Sequence, residues 1–419
     1  MLAGLARVLL LGVAGAALAG AAPSVGWVPP RLPPAPAEGP ALCPGNFLTP
    51  LQGKEVLEAA LARFPDRAAW DAYGEHVRRR IQEGARLSPW PRRTPLQPVT
   101  RKRRAHDGYT VENVAFEAVP GHFVTGNLYR PLGGRAPFPA VLATHGHTRP
   151  ISKPEDYDQH GRFNAAMQAR CATLARMGAV VLSIDMFGHG DSIPLVGQEA
   201  HRQPLTLTFQ AWNAIRAVDF LLAQEGVDSA RVAVSGESGG ATQAMLLTAL
   251  DPRIAVSVPV VMVSSYFFGG CPCESGQPIH RSSDHFASNA MIAALAAPRP
   301  MLVVSDGDDW TQHVPEIEYP FLRKIYGYYG PPANVVNVHL AQEGHDYGPS
   351  KRAATYRFLA EHLKLDLRAA QKADGALDES RATIERAPAL HVFDADFPIP
   401  AHALRDAAAI HSVLQGLQH

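Results

Sequence analysis

Two spacings of apolar residues divide the chain. Between residues 54 and 84, apolar side chains recur at helical spacing in two runs, which predicts two helices. We expect these helices to pack on the side of the main domain, with a cover over a functional site as the alternative. From about residue 108 the spacing changes: residues 109–118 alternate, Pro120-Gly121 is a turn signal, and residues 124–129 are typical of the partner strand. An antiparallel hairpin is therefore expected to lead a sheet.

Uninterrupted apolar runs follow the hairpin, and such runs suit parallel strands that are buried on both faces. The six runs are residues 139–144, 179–184, 231–235, 255–261, 300–305 and 335–340. Helical patterns at residues 164–177, 206–224 and 351–363 separate or close them. Alternating strands and helices predict an α/β fold with a mostly parallel central sheet, helices on both faces and an antiparallel N-terminal edge.

The first 22 residues differ from the rest of the chain. One cation, Arg7, precedes an apolar, alanine-rich stretch that ends in small residues, which is typical of a signal peptide. The apolar part is shorter than the roughly 20 residues that a spanning helix needs. We therefore expect export to a periplasm or out of the cell, and no stable membrane anchor.

Composition divides the remaining chain into four segments. Residues 23–50 are proline-rich and predict a linker or an extended arm, because proline fixes φ and lacks the amide donor. Residues 51–100 form the helical N-terminal extension and residues 101–365 the main domain. Residues 366–419 are charged, alanine-rich and weakly patterned, which indicates a C-terminal extension and not a further domain.

Charge is balanced over the chain, with 39 Lys and Arg residues against 39 Asp and Glu residues. No global field would draw the protein to nucleic acid or to an anionic membrane, so neither is an expected partner. The basic run Arg101-Lys102-Arg103-Arg104 is a local exception. For this run a solvated face or a contact between parts of the chain is favoured over a polyanion site. The sequence leaves the oligomeric state open.

The five residues Gly236–Gly240 carry the strongest chemical signal. They follow the apolar run 231–235 and precede the helix-forming run 241–247. A serine on such a strand-to-helix turn, here Ser238, is held in strained geometry, and the small residues around it let neighbouring backbone pass without a Cβ clash. Its hydroxyl then stands clear of the sheet at a helix N-terminus, where N–H groups stabilise an oxyanion. This pattern predicts a nucleophile elbow.

Two later loops at strand ends carry the groups that a serine nucleophile needs. Asp308 and Asp309 follow the strand at 300–305, and His345 follows the last strand. An imidazole activates the hydroxyl by accepting its proton, and a carboxylate holds the tautomer of the imidazole and stabilises its charged form. The order serine, aspartate, histidine therefore predicts a catalytic triad. Only one of the two adjacent carboxylates can point at His345, and their spacing leaves open which one.

The loop 144–148, after the first parallel strand, is expected to supply one side of an oxyanion hole. By position, the backbone N–H groups of His147 and of Gly239, the residue after the nucleophile, would bind the oxyanion. A metal pair formed by His145 and His147 is the minor alternative. Ester hydrolysis by a triad needs no metal, so no cofactor is predicted. The loop 185–192 is expected to shape the pocket rim.

Cysteine positions add a second question. The chain has four cysteines, namely Cys43, Cys171, Cys271 and Cys273. Export would permit disulfides, but Cys271 and Cys273 are too close in sequence to bridge each other without strain. A bond from one of them to Cys171 or Cys43 is therefore favoured. A metal site that combines this pair with His280 or His285 lacks the usual Cys-x-x-Cys spacing, and we predict no metal.

Taken together, these loops resemble the α/β-hydrolase superfamily over about residues 105–365. The matching motifs, in the order of the superfamily, are His-Gly at 145–146, Gly-His-Gly-Asp-Ser at 188–192, the elbow at 236–240 and Gly-His at 344–345. Within the superfamily the chain looks most like the secreted acetyl xylan esterase-like and dienelactone hydrolase-like branch. That closer likeness is carried by residues 125–131, 269–274 and 309–311.

The resemblance implies a serine carboxylic-ester hydrolase that acts through an acyl-enzyme, with Ser238, Asp309 and His345 as its triad. It also implies a short acyl group, such as acetyl, on a carbohydrate or similar small ester. Aromatic residues at strand ends would contact such a substrate or simply cover the core; they are Trp310, Tyr266 and Phe267.

Two other functions share this fold. A prolyl-oligopeptidase-like serine peptidase has the same triad order, but the chain offers no propeller-sized N-terminal domain for it. A non-catalytic binding protein would have no need to retain the serine, the acid and the histidine together. Both remain the alternatives to an esterase at this point.

Overall fold

The computed structural model describes residues 25–32, 45–330 and 332–419. The predicted signal peptide, part of the proline-rich linker and Cys43 lie outside these ranges. Among the described residues, no helix is both long enough and apolar enough to cross a membrane.

The strands account for the whole predicted sheet. They are β1 (Gly45–Asn46), β2 (Val99–His106), β3 (Tyr109–Val119), β4 (His122–Pro131), β5 (Phe138–Thr144), β6 (Val180–Ile184), β7 (Val227–Glu237), β8 (Val256–Val260), β9 (Phe267–Gly269), β10 (Met301–Asp306) and β11 (Val335–Leu340). Each of the six apolar runs and both arms of the predicted hairpin coincide with one of these strands.

The helices include all those predicted from apolar spacing. They are α1 (Pro50–Arg63), α2 (Arg67–Gly84), α3 (Ala165–Arg176), α4 (Ile193–Val196), α5 (Thr206–Leu222), α6 (Gly239–Leu250), α7 (Pro272–Ser275), α8 (Asn289–Ala294), α9 (Glu318–Gly327), α10 (Pro349–Leu363), α11 (Ala387–Leu390) and α12 (Ala407–Gly416). The first two begin at side-chain caps, because Thr49 accepts from the Gln52 amide and Asp66 accepts from the Ala69 amide.

Nine strands form one sheet in the order β11-β10-β8-β7-β5-β6-β4-β3-β2. The pairs from β11 to β6 are parallel, whereas β4 pairs antiparallel with both β6 and β3, and β3 with β2. The predicted fold class is confirmed. Because β6 and β7 lie on opposite sides of β5, the chain reverses direction across the sheet at β5, and the carboxyl ends of these strands are where such a sheet binds ligands.

The edge strand β2 was missed because charged side chains, not apolar ones, occupy it. Arg101 and Lys102 contact the carboxylate of Asp394 at 3.3 and 2.7 Å. The Nε of Arg104 donates to Glu385 at 2.8 Å. The basic run therefore joins the edge of the sheet to the C-terminal extension, which is a contact between parts of the chain.

Alternate residues of the central strands pack on opposite faces of the sheet. In β5, Leu142 belongs to a core shared with α5 and α6, and Val141 belongs to a second core shared with α3 and α10. The first core also contains Leu57 of α1, Tyr73 of α2 and Leu414 of α12. Both terminal extensions therefore bury apolar side chains in the core of the main domain.

The described part of the proline-rich linker lies on the N-terminal helices. The ring of Trp27 packs edge-on against Phe64 and Tyr73, with ring centroids 5.7 and 6.1 Å apart. Aromatic contacts of this kind stabilise a segment that has little regular structure of its own.

Candidate active site

Ser238 lies on the sharp turn between β7 and α6. Its φ of +51° is rare for a residue other than glycine. A Cβ on Gly236 would lie 2.1 Å from Thr144 Oγ1, and one on Gly240 would lie 2.7 Å from the carbonyl oxygen of His145. Glycine at these two positions therefore lets the turn pack against the loop that follows β5.

A cavity of about 380 Å³ opens beside Ser238. Its lining includes the aromatic residues Phe267 and Trp310, and a group of histidines with Cys271. Small-molecule sites are commonly concave, partly apolar and supplied with a few polar groups. This cavity has the size and the lining of such a site.

His345 and Asp309 meet at the carboxyl ends of β11 and β10. His345 Nδ1 lies 2.7 Å from Asp309 Oδ2, while Asp309 Oδ1 accepts from the backbone N–H and the hydroxyl of Thr311 at 2.5 and 2.6 Å. The Asp309 side chain is 3% exposed and that of His345 is 32% exposed. A fixed, buried carboxylate thus orients an imidazole that remains accessible.

Asp308 makes a different contact, because its backbone N–H donates to Asp306 Oδ1 at 3.3 Å. The structure therefore pairs His345 with Asp309 and not with Asp308. The hydroxyl of Ser238 and the imidazole of His345 are not hydrogen-bonded to each other here. Bonds of this kind are often long until substrate is bound.

The two N–H groups expected at an oxyanion hole lie beside the serine. Gly239 is the first residue of α6, and a Cβ on it would lie only 2.7 Å from Cε1 of His147. The His147 ring therefore packs directly against the first turn of the helix. Within the described chain, neither backbone N–H donates to a protein acceptor. Both are free to bind a developing negative charge.

Two of the three aromatic candidates line the cavity. The rings of Phe267 and Trp310 stack with centroids 3.9 Å apart, and Trp310 also lies 4.6 Å from the His345 ring. Tyr266 is 3% exposed, does not line the cavity, and has its ring 6.1 Å from that of His313. The structure therefore brings Phe267 and Trp310 together at the cavity and places Tyr266 in the core.

Sequence reasoning missed a group of buried histidines on the other side of the cavity. Rings of His145, His160 and His201 lie 5.6, 4.9 and 4.2 Å from the ring of His189. Burial lowers the pKa of His189 far below its usual value and lowers that of His145 to about 3. The His145 and His189 rings are therefore neutral. The four histidines come from separate loops, so no sequence motif linked them.

His145 has a structural role in this group. Its Nδ1 lies 2.8 Å from the Gly146 carbonyl oxygen, and its Nε2 accepts from the Met186 backbone N–H at 3.1 Å. The ring therefore ties the loop after β5 to the loop after β6. This arrangement uses both ring nitrogens and leaves neither for a metal, which removes the His145–His147 metal pair as an alternative.

A buried ion network lies behind the histidines. Arg162 donates to Asp185 at 2.9 Å and to Asp191 at 2.6 Å, and a further N–H reaches the Leu390 carbonyl at 3.0 Å. Burial by itself would lower the pKa of Arg162, but the two carboxylates raise it, so the guanidinium stays charged. The loop 185–192 is thus fixed by salt bridges, in keeping with its expected structural role.

The described cysteines form no disulfide. Cys171, Cys271 and Cys273 are free thiols, so the expected bond to Cys171 is not formed. Cys171 is buried in the core beside α10. A bond to Cys43 lies outside the described residues.

Comparisons with known proteins agree with this geometry. The model of the acetyl xylan esterase family matches residues 92–268. The protein named methylesterase BT1017 shares 38% sequence identity with the chain and superposes with a TM-score of 0.80, over 90% of this chain and 82% of that protein. The chain belongs to this family of α/β-hydrolase esterases. It is a serine-type carboxylic ester hydrolase of the acetyl xylan esterase and methylesterase type, and the peptidase and binding-protein alternatives are set aside.

More distant structures share the fold of this esterase. A glucuronoyl esterase from Solibacter usitatus has 17% identity and a TM-score of 0.52, over 71% of this chain and 94% of that one. A glucuronoyl esterase from Teredinibacter turnerae has 16% identity and a TM-score of 0.51, over 71% of this chain and 85% of that one. No curated protein matches the esterase in sequence.

Proposed function

We propose that this esterase removes small ester groups from carbohydrates through an acyl-enzyme, with Ser238 as nucleophile, His345 as general base and Asp309 as the orienting acid. The observation that carries the proposal is the 2.7 Å contact between His345 Nδ1 and the buried Asp309 carboxylate, in a chain whose elbow serine opens to a cavity lined by Trp310, the residue next to Asp309. In such a triad the bond to the carboxylate leaves the other ring nitrogen free to accept a proton.

The reaction then follows from the positions of these groups. His345 Nε2 takes the hydroxyl proton as Ser238 Oγ attacks the ester carbonyl, and the N–H groups of His147 and Gly239 bind the resulting oxyanion. Collapse of this intermediate breaks the bond to the alcohol, which leaves with the proton held by His345. Water then attacks the acyl carbonyl as His345 accepts its proton. When the second intermediate collapses, the bond to Ser238 Oγ breaks, His345 returns the proton to that oxygen, and the carboxylic acid leaves. Asp309 stays ionised throughout.

The cavity supports a small ester on a polar substrate. Stacked Phe267 and Trp310 offer apolar contact area in the cavity, and His160 and His189, whose pKa burial lowers, offer neutral hydrogen-bonding groups there. Sugar rings need both kinds of contact. An acetyl group on a carbohydrate is our first candidate, as the motif resemblance implied.

A methyl ester is the second candidate, and the similarity to methylesterase BT1017 over 90% of the chain favours it. A methyl ester on a sugar requires a carboxyl group, so the substrate would be a methyl-esterified uronic acid. The sugar would then be the acyl part bound to Ser238, and methanol would leave. The two candidates differ in which side of the ester is large.

One experiment tests the enzyme class and the substrate together. A fluorophosphonate probe should label the protein at Ser238 and should not label Ser238→Ala. The unlabelled protein is then given acetylated xylan, methyl-esterified polyuronate and p-nitrophenyl esters from acetate to palmitate, with acetate and methanol measured separately. Acetate release supports the first candidate and methanol release the second. Preference for palmitate, or no release from either polysaccharide, would overturn the carbohydrate assignment.

The cellular location belongs to the same proposal. We infer export, because the first 22 residues have the pattern of a signal peptide. Mass spectrometry of the protein made in a bacterial host with export machinery should show a mature N-terminus near residue 23, and an intact N-terminus would contradict export.

A further inference from the structure

Four side chains with metal-binding atoms meet on the histidine side of the cavity. They are His147, His201, Cys271 and Cys273, and their donor atoms all lie within 4.8 Å of one another. They come from three separate segments: the loop after β5, the single-turn 3-10 helix Gln198–Arg202, and the start of α7. Two imidazoles and two thiols are a common donor set for a tetrahedral metal ion.

His201 is prepared to be a ligand. Its Nδ1 lies 2.8 Å from the Phe187 carbonyl oxygen, so this nitrogen carries the proton. Its Nε2 is buried and has no hydrogen-bond partner among the described residues. A histidine that donates one N–H to a backbone carbonyl and presents the other nitrogen unprotonated is the usual form of a metal-bound imidazole. An unpaired buried nitrogen would otherwise cost free energy.

His147 is held against the thiols in a similar way. Its Nε2 lies 3.0 Å from Cys273 Sγ, and its Nδ1 lies 3.9 Å from Glu274 Oε1. The Glu274 carboxylate is itself fixed, because it accepts from the backbone N–H groups of Gly270 and Cys271 at 2.7 and 3.2 Å. Ligand bond lengths of about 2.3 Å for sulfur and 2.0–2.1 Å for nitrogen imply a nitrogen–sulfur separation of about 3.5 Å. The observed spacing needs only a small expansion to reach it.

We propose that His147, His201, Cys271 and Cys273 bind one Zn²⁺ ion. Thiolate and imidazole ligands favour Zn²⁺ over Ca²⁺ or Mg²⁺, which prefer oxygen. Binding releases the two thiol protons, and two thiolates then neutralise the charge of the ion in a largely buried position.

The site is structural and not part of the ester chemistry. Four protein ligands fill a tetrahedral coordination shell and leave no position for substrate. The ion would fasten the loop that carries His147, the residue proposed as an oxyanion donor, to α7 and to the segment of His201. His280 and His285, the ligands that the sequence suggested for this cysteine pair, instead place a ring nitrogen 2.8 and 2.9 Å from the carbonyl oxygens of Ala287 and Ile279.

Metal content tests the site. The full chain is purified without chelators, separated from loose metal by gel filtration, and its metals are measured by inductively coupled plasma mass spectrometry. Wild type should hold about one Zn²⁺ per chain. Cys273→Ser and His201→Gln should lose it, while the matched controls Cys171→Ala and His280→Gln should keep it. Folded wild-type protein without Zn²⁺, or with copper in its place, would overturn the proposal.

A spectroscopic measurement on the wild type tests the site without relying on variants that could fail to fold. Removing the metal and adding Co²⁺ should give intense visible bands of tetrahedral cobalt and a thiolate charge-transfer band, and added Zn²⁺ should abolish both. Weak bands typical of octahedral cobalt would contradict the site. So would a disulfide between Cys271 and Cys273, detected as missing free thiols in denatured, unreduced protein.

Discussion

Two groups of side chains in and around the cavity, which we call walls, use histidine in different ways. On the first wall, which we call the nucleophile wall (Ser238, Asp309, His345), the imidazole is partly exposed and bonded to a buried carboxylate. On the second, the histidine–cysteine wall (His147, His189, His201, Cys271, Cys273), His189 is surrounded by other imidazoles, and burial holds its pKa low. A carboxylate partner makes a histidine a base that can carry charge, whereas burial among neutral groups keeps it neutral.

Removing the nucleophile should have the largest effect on activity. If the activity did not fall, the contrast between the two walls would be wrong. Ser238→Ala should lower kcat by a factor on the order of 10⁶, because the triad acts as a unit. The fold should be unchanged, since the alanine fits the same turn, and circular dichroism with a melting curve checks this. Substantial ester hydrolysis by the purified variant would show that the nucleophile wall is misassigned.

Loss of the carboxylate that orients His345 should have the second-largest effect on activity. Asp309→Asn should lower kcat by about 10⁴, because an amide favours the wrong tautomer of the histidine. Asp308→Asn is the matched control and should stay close to wild type, since Asp308 does not contact His345. Steady-state rates on p-nitrophenyl acetate measure both variants. Equal losses, or a larger loss for Asp308→Asn, would move the acid to the neighbouring position.

The ion network behind the histidine–cysteine wall should matter for stability and not for the chemical step. Arg162→Met leaves Asp185 and Asp191 buried without their cation, which typically costs about 3–5 kcal/mol. Urea unfolding measures this loss. Arg368 is the control, because its pair with Asp366 is 89% exposed on the arginine side, so Arg368→Met should leave the midpoint almost unchanged. Similar midpoints for the two variants would contradict the role of the network.

Acid should lower the free energy of unfolding, because the buried neutral histidines resist protonation. Of the effects predicted here, we expect this one to be the smallest for each residue. Burial lowers the pKa of His280 and His122 to about 4 and of His145 to about 3, whereas an unfolded histidine titrates near 6.5. Below pH about 6.5 the unfolded chain therefore binds more protons than the folded one, and stability falls as pH decreases towards 4. Each such histidine contributes a slope of about 1.4 kcal/mol per pH unit.

Urea midpoints at several pH values between 7.5 and 4.5 measure that slope. His280→Gln retains a donor for the Ala287 carbonyl but cannot titrate, so its slope should be shallower by one histidine. A stability that does not change over this range would mean that the buried rings are protonated in the folded state. In that case burial would not keep a histidine neutral in this protein, and the contrast drawn between His189 and His345 would fail.

The two walls also differ in how far sequence could predict them. The residues of the nucleophile wall lie at strand ends and on one strained turn. The turn can be predicted from a short stretch of sequence, because Gly236, Ser238 and Gly240 lie within five residues. The histidine–cysteine wall is assembled by tertiary structure, from residues 147, 201 and 271–273 on separate segments. No periodicity links such segments. The metal site that the sequence suggested and did not favour therefore named His280 and His285, which are near the cysteines in the chain, and not His147 and His201, which are near them in space.

The strands also differ in whether a local sequence pattern predicts them or a contact with a distant segment forms them. Apolar runs predicted every parallel strand, because burial on both faces requires them. The edge strand β2 was not predicted, because its charged residues Arg101, Lys102 and Arg104 gave no apolar pattern. Asp394 and Glu385, which lie nearly 300 residues later in the chain, form ion pairs with them. Strand formation at that edge depends on the C-terminal extension and not on local propensity.

That distant contact has a consequence for how the protein is made. Leu390 supplies a carbonyl acceptor to the buried Arg162, and Ile410 and Leu414 fill the core that begins with α1. A ribosome that has synthesised the whole parallel sheet has therefore still not delivered the groups that close its edge and its core. The final folding step must wait for the last segment of the chain, so a purified chain truncated after residue 365 should be cut by proteases within β2–β4, where the full chain resists them.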